Sequence, residues 1–188
     1  QQRIIAKKYK ELPLAAIEQL LQHKIHEYRL TALKILSSQF RKAKEKERKI
    51  LYDFYLKHKA HINNWDLIDL SAQNIIGDYL LNKDRRILFR LANSNSLWEK
   101  RISILATFAF INNQEFKDTF KVAEILLKDE HDLIHKSVGW MLREVGKRIS
   151  QEEEEKFLRE YYKDMPRTML RYAIERFSGD KKRFYMKK

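Results

Sequence analysis

Cysteine is absent from the 188 residues. Disulfides and thiolate-held metals are thereby excluded, and the composition fits a reducing, intracellular compartment, read here as a bacterial cytoplasm. Glycine and proline are scarce, at four and two. A sheet-rich chain needs more turn formers than that. No apolar run approaches the roughly 18 residues of a membrane-spanning helix. The opening stretch, Gln1 to Lys10, lacks the apolar centre of a secretory signal. It reads as the middle of a helix, with Ile4 and Ile5 already facing a partner, so the natural protein is expected to begin upstream. Nothing resembles a phosphate loop, a dinucleotide glycine fingerprint or a nucleophile elbow. No cofactor is expected, and the protein is expected to be monomeric.

Leu, Ile, Lys, Arg, Glu and Ala dominate instead, which favours an all-α chain. Lys and Arg total 39 against 26 Asp and Glu, a formal net charge of +13. An excess of that size attracts polyanions, nucleic acid foremost. Apolar residues recur at helical spacing almost throughout. Capping residues, turn residues or charge clusters interrupt them at Leu12-Pro13, His23-Lys24, Lys42 to Lys44, Asn63-Asn64, Asn82-Lys83, Asn93 to Ser96, Asn112-Asn113, Asp129 to His131, Ser150 and Met165-Pro166. The spacing predicts about ten helices joined by short loops.

The helices repeat. Arg29, Arg101, Lys136 and Arg171 occupy similar places in "IHEYRLTALKIL", "NSLWEKRISILATF", "DLIHKSVGWMLREV" and "PRTMLRYAIERF", at separations of 72, 35 and 35. Trp65 falls midway in the wide gap. Two helices per period of about 35 residues indicate a helical solenoid. Tetratricopeptide and ankyrin signatures are missing, and HEAT-like pairs fit. The expected fold is therefore all-α, a curved right-handed solenoid of HEAT-like helix pairs over 1–178, followed by a loosely held basic tail at 179–188. The second helix of each pair would line the concave face and bring several cations to one groove. Ser150 is expected to cap a helix whose Glu152 to Glu155 complement its dipole.

Four stretches carry candidate chemistry. "NNWDLID" places Trp65 and Asp69 on one helical face at i,i+4, in a segment without a Lys or Arg of its own. "LWEKRISI" supplies Trp98 and Arg101, "VGWMLREVGK" supplies Trp140 and Arg143, and "PRTMLRYAIERF" supplies Arg167 and Arg171. The competing "HDLIH", His131 to His135, resembles a zinc-hydrolase helix with Asp for Glu, but no third ligand accompanies it. No metal is expected. Taken alone, each Trp would most simply be core and Asp69 an ion-pair partner.

In this order the four stretches resemble the AlkD-type DNA alkylation-repair glycosylases, a family of HEAT-like repeat proteins. The resemblance runs from about Ile4 to Phe177. It implies that the W-D-x-x-D segment at Trp65 to Asp69 is catalytic and that Arg101 binds phosphate. It also implies that "GWMLRE", Gly139 to Glu144, supplies a second active-site tryptophan, Trp140, with Arg143 beside it. Asn64 stands where some members carry another aromatic, and the family's N-terminal helices have no counterpart in this chain. The partner implied is double-stranded DNA containing alkylated purines.

Elementary chemistry agrees. Breaking a purine N-glycosidic bond builds positive charge on the sugar, and carboxylates stabilise such oxocarbenium character. A base alkylated at N3 or N7 already carries a positive charge and leaves neutral, so no strong general acid is required. Asp69 would stabilise charge and position water, Trp65 and Trp140 would present electron-rich faces, and Arg101, Arg143, Lys136 and Arg171 would hold phosphates. The alternative is a non-catalytic HEAT-like module that binds nucleic acid or protein.

Overall fold

Alternating apolar and charged helix faces produce helices and nothing else among the described residues, 2–187, of this computed structural model. Two compact units divide the chain, at 1–83 and 84–188.

In the first unit α1 (Gln2–Lys8), α2 (Leu14–Gln22), α4 (Glu45–Lys57) and α5 (Trp65–Ala72) all pack on α3 (His26–Lys42). Leu33, Leu36 and Phe40 lie on one face of α3 and are fully buried, together with Ile17, Leu21, Tyr55, Leu67 and Ile68. Each such side chain is worth about 1.5–3 kcal/mol relative to exposure. The turns are pinned from α3 and α4. Gln39 Nε2 donates to the carbonyls of Lys10 and Leu12, at 3.0 and 2.8 Å. The Glu47 carboxylate accepts from the Lys44 N–H at 2.8 Å. Beyond α5 the helix widens into a π-turn, Gln73–Gly77, before α6 (Asp78–Leu80). At this point Asn74 Nδ2 donates to the Leu70 carbonyl at 2.6 Å, the acceptor that its own N–H would use in an α-helix.

The second unit holds α7 (Arg86–Ala92), α8 (Leu97–Ala106), α9 (Phe108–Asn112), α10 (Lys117–Leu126), α11 (Asp132–Arg148), α12 (Gln151–Tyr161), α13 (Arg167–Ala173) and α14 (Gly179–Met186). α8, α11 and α13 begin 35 residues apart and pack in series, α8 on α11 and α11 on α13. α7 packs on α10, and the stacked rings of Phe120 and Phe157, 4.9 Å apart, join α10 to α12. Where one continuous helix was expected after Leu97, Thr107 interrupts it. Its hydroxyl and its N–H both donate to the Ile104 carbonyl, at 2.7 and 3.2 Å. Ser150 does cap α12, accepting from the Glu153 N–H at 3.3 Å. The acidic run behind it is not simply solvated, because Glu154 and Glu155 are buried.

The expectation of a loose tail is corrected. Residues 179–186 form α14, capped by Ser178. Tyr185, 2% exposed, seats among Tyr162 and Phe177, and Lys181 pairs with Glu155. Composition suggested fraying because Lys and Arg dominate the segment, but a single buried aromatic and one ion pair hold it.

Candidate functional site

α5 starts where Asn63-Asn64 predicted, but not by side-chain capping: the Asn64 carbonyl accepts from the Ile68 N–H at 3.3 Å, and its amide caps nothing. Leu67, Ile68, Ser71 and Ala72 turn inward. Trp65 turns outward and is 52% exposed, although indoles are usually covered. Asp69 follows one turn later, half-buried. Behind α5, Tyr55 is fully buried and its hydroxyl meets Ser71 Oγ at 3.0 Å. Burial drives the Tyr55 hydroxyl well above its ordinary pKa, the Ser71 hydrogen bond opposes this, and the charge of Asp69 adds to the rise. Asp69 therefore stands over a neutral phenol. The neighbouring Asp66 is engaged elsewhere, meeting His26 Nε2 at 2.7 Å across α3 and α5. Nothing in the spacing of His26 signalled that contact.

The second unit gathers the "GWMLRE" residues. Gly139 lies where α11 meets α13: a Cβ there would stand 2.3 Å from the Met169 carbonyl oxygen and 2.6 Å from Tyr172 Cβ. Trp140 is half-buried, 6.1 Å from the Phe108 ring, and its Nε1 donates to Glu144 at 3.3 Å. Glu144 also accepts from Arg148 Nε at 2.6 Å. Burial alone would raise the Glu144 pKa, but the Arg148 hydrogen bond and the Lys147 and Arg148 charges outweigh it and hold it below the ordinary carboxylate value. Arg143 pairs with Glu175, while its Nε is buried and makes no hydrogen bond among the described residues.

The cations spaced by the repeat divide into two kinds. Arg29 donates to the His23 and Lys24 carbonyls, both at 3.0 Å, and closes the end of α2. Arg101 is 5% exposed and donates to the Leu133 carbonyl at 2.6 Å, tying α8 to the start of α11. Both donate to backbone carbonyls. The carbonyls after α2 lack intrahelical partners, and the Arg29 guanidinium five and six residues on reaches them. Lys136 pairs with Asp132 at 2.6 Å and is half-buried. Arg171 is exposed. In "HDLIH", His131 accepts from the Leu133 N–H at 3.1 Å, and His135 meets the Asp129 carbonyl. Both imidazoles shape the loop before α11, and no group of three metal-ligating side chains occurs among the described residues.

The all-helical chain thus carries an outward indole and a carboxylate on α5 and, in the second unit, a glycine-seated helix with Trp140, Arg143 and Glu144. The chain belongs to the DNA alkylation repair enzyme family, whose model matches residues 1–177. Among solved structures it is similar to a predicted DNA alkylation repair enzyme from Enterococcus faecalis, with a TM-score of 0.72 at 16% identity. That likeness covers 93% of this chain and 82% of the other, and it shows the shared fold. No curated protein matches the sequence.

Proposed function

We propose that the chain is a monofunctional DNA glycosylase that binds duplex DNA and hydrolyses the N-glycosidic bond of cationic N3- and N7-alkylated purines. The observation that carries this reading is Trp65, an indole half open to solvent one turn from Asp69 on a helix otherwise turned inward. Packing does not require that ring to be outside. In the reaction, the C1′–N bond breaks with its electron pair passing to the base, which leaves neutral. Water then adds to C1′ and gives up a proton. Asp69 faces the positive charge that grows on the sugar and orients the water. The Trp65 face stabilises the same charge. Trp140 is assigned the second aromatic role, and Arg101, Arg143, Lys136 and Arg171 are assigned phosphate. Family membership and the two runs of helix pairs support a HEAT-like repeat plan, working as a monomer in the cytoplasm without metal or cofactor.

The test is single-turnover base release from duplexes carrying methyl, bulky-alkyl or neutral lesions. Cationic lesions of both sizes should be released, and uracil and hypoxanthine should stay. Asp69→Asn should retain the fold and DNA affinity while slowing release about 10²–10³-fold, the worth of a well-placed transition-state charge contact. Undiminished release by that variant removes Asp69 from the mechanism. A wild-type chain that binds duplex and releases nothing is the non-catalytic module.

A further inference from the structure

In the first unit α1, α3 and the Leu70–Asn74 edge of the α5 helix surround an open cavity of about 570 Å3. Six cations stand on its wall: Arg3, Lys7 and Lys10 from α1 and the turn after it, and Lys34, Arg41 and Lys42 from α3. No carboxylate lines it. Only Lys10 makes an ion pair among the described residues, a 4.0 Å approach to the exposed Glu11. The spacing is helical. Positions 3 and 7 share one face of α1, and 34 and 41 share one face of α3. Like charges at such spacing repel and weaken the helices that carry them. The contrast with the second unit is plain, where Lys100, Lys136 and Arg148 all have carboxylate partners.

An independent observation lies at the floor of the cavity. Ser37 is 6% exposed, and its Oγ has no hydrogen-bond partner among the described residues. Four other buried helical hydroxyls are satisfied by a carbonyl in the preceding turn: Thr31 by Glu27, Ser71 by Leu67, Ser103 by Lys100 and Ser137 by Ile134. Ser37, like Thr119 on α10, keeps its donor, and of the two it is Ser37 that lines the cationic cavity; a buried unmade hydrogen bond is costly. The needs of the floor and the wall coincide: an acceptor carrying negative charge.

We propose that this cavity is a phosphoryl-binding site that seats backbone phosphates of duplex DNA, with Ser37 donating to a phosphate oxygen and Lys34, Arg41 and their neighbours neutralising it. Six cations exceed what one free phosphate requires and suit the successive phosphates of a strand. Its far edge, Leu70, follows Asp69 in the chain, so the strand seated here would continue onto α5. The inference rests on the DNA-binding part of the reading above and not on the hydrolytic part.

The test uses the full chain, an unmodified duplex and inorganic phosphate as separate probes. Lys34→Ala with Arg41→Ala should weaken duplex binding at least tenfold at low salt and lower the salt slope by about 1–2, at about 0.9 per phosphate contact. Ser37→Ala should weaken it about tenfold to hundredfold, the loss of one hydrogen bond to a charged acceptor, with melting temperature unchanged or raised. Lys121→Ala, exposed on α10, is the control and should do little. Unchanged duplex affinity and slope in the double variant overturn the site. Submillimolar binding of inorganic phosphate that the same variants abolish, with duplex binding intact, overturns DNA as the source. Base release is read in parallel. A wild-type chain that releases nothing while the double variant still loses duplex binding sinks the glycosylase reading and leaves the site standing. The reverse pattern does the opposite.

Discussion

Two arginines one repeat-position apart in character, Arg101 and Arg171, should behave differently when truncated. Arg101 is buried and supplies the Leu133 carbonyl with its partner. Arg101→Ala should cost about 1.5–3 kcal/mol of stability, the worth of a hydrogen bond from a charged donor. Arg171 is exposed, and its truncation should stay within about 0.5 kcal/mol while weakening duplex binding. Thermal melts of the two variants decide this, and equal melting temperatures would mean that the Arg101 contact carries no load. Glu154 gives the second residue-scale prediction. It is 2% exposed and packs on Gly146 of α11. Burial, reinforced by the Glu155 charge and only partly opposed by Arg143, pushes its pKa up to about 9. The folded chain therefore holds a proton that the unfolded chain releases near its ordinary value of 4.5. This contribution to stability is complete below that value and is lost as pH rises towards 9, at up to about 1.4 kcal/mol per pH unit. Glu154→Gln should flatten the fall in melting temperature between pH 5 and 8 and be the more stable protein at pH 8. Parallel pH profiles for the two proteins would show that Glu154 is ionised in the fold.

At the scale of elements, Gly139 sets how closely α11 and α13 approach. A methyl group there meets a backbone carbonyl, which cannot swing aside as a side-chain end can. Gly139→Ala should destabilise by about 1–3 kcal/mol through overpacking, read as a lower urea midpoint with unchanged slope; an unchanged midpoint would show that the helices can part freely. The sequence made this glycine conspicuous within "GWMLRE" but could not say what it touches. Helix ends were more legible. His23, Ala43, Asn64, Asn113 and Ser150 all fall at observed termini, because capping and turn residues act locally. What stayed hidden depends on distant partners. The Arg101 cation looked like the others in a one-dimensional repeat, yet it reaches a carbonyl 32 residues away that only folding brings near. The Thr107 break and the π-turn were hidden for a related reason, since one side-chain hydrogen bond competes with an otherwise regular pattern. In the candidate site, Trp65 and Asp69 were legible from i,i+4 geometry. The His26–Asp66 contact, 40 residues apart in sequence, was not.

At the scale of the whole molecule, a net charge of +13 makes association with a polyanion strongly dependent on salt. The strength of that association need not scale with the number of cations, and the Arg143–Glu175 pair shows why. Glu175 is largely exposed, and its carboxylate already occupies Arg143. A DNA phosphate arriving at Arg143 would displace an anion that is tethered to the protein and stays beside the strand. The phosphate would still shed its condensed cations, so the slope registers the contact while the freed carboxylate lowers the affinity. Glu175→Gln should therefore raise duplex affinity at low salt, whereas Arg143→Ala should lower the affinity and reduce the slope by about 0.9. An Arg143→Ala slope identical to that of the wild type would mean that Arg143 never meets phosphate. The molecule would thus act at this position as an ion-exchange resin loaded with its own counterion.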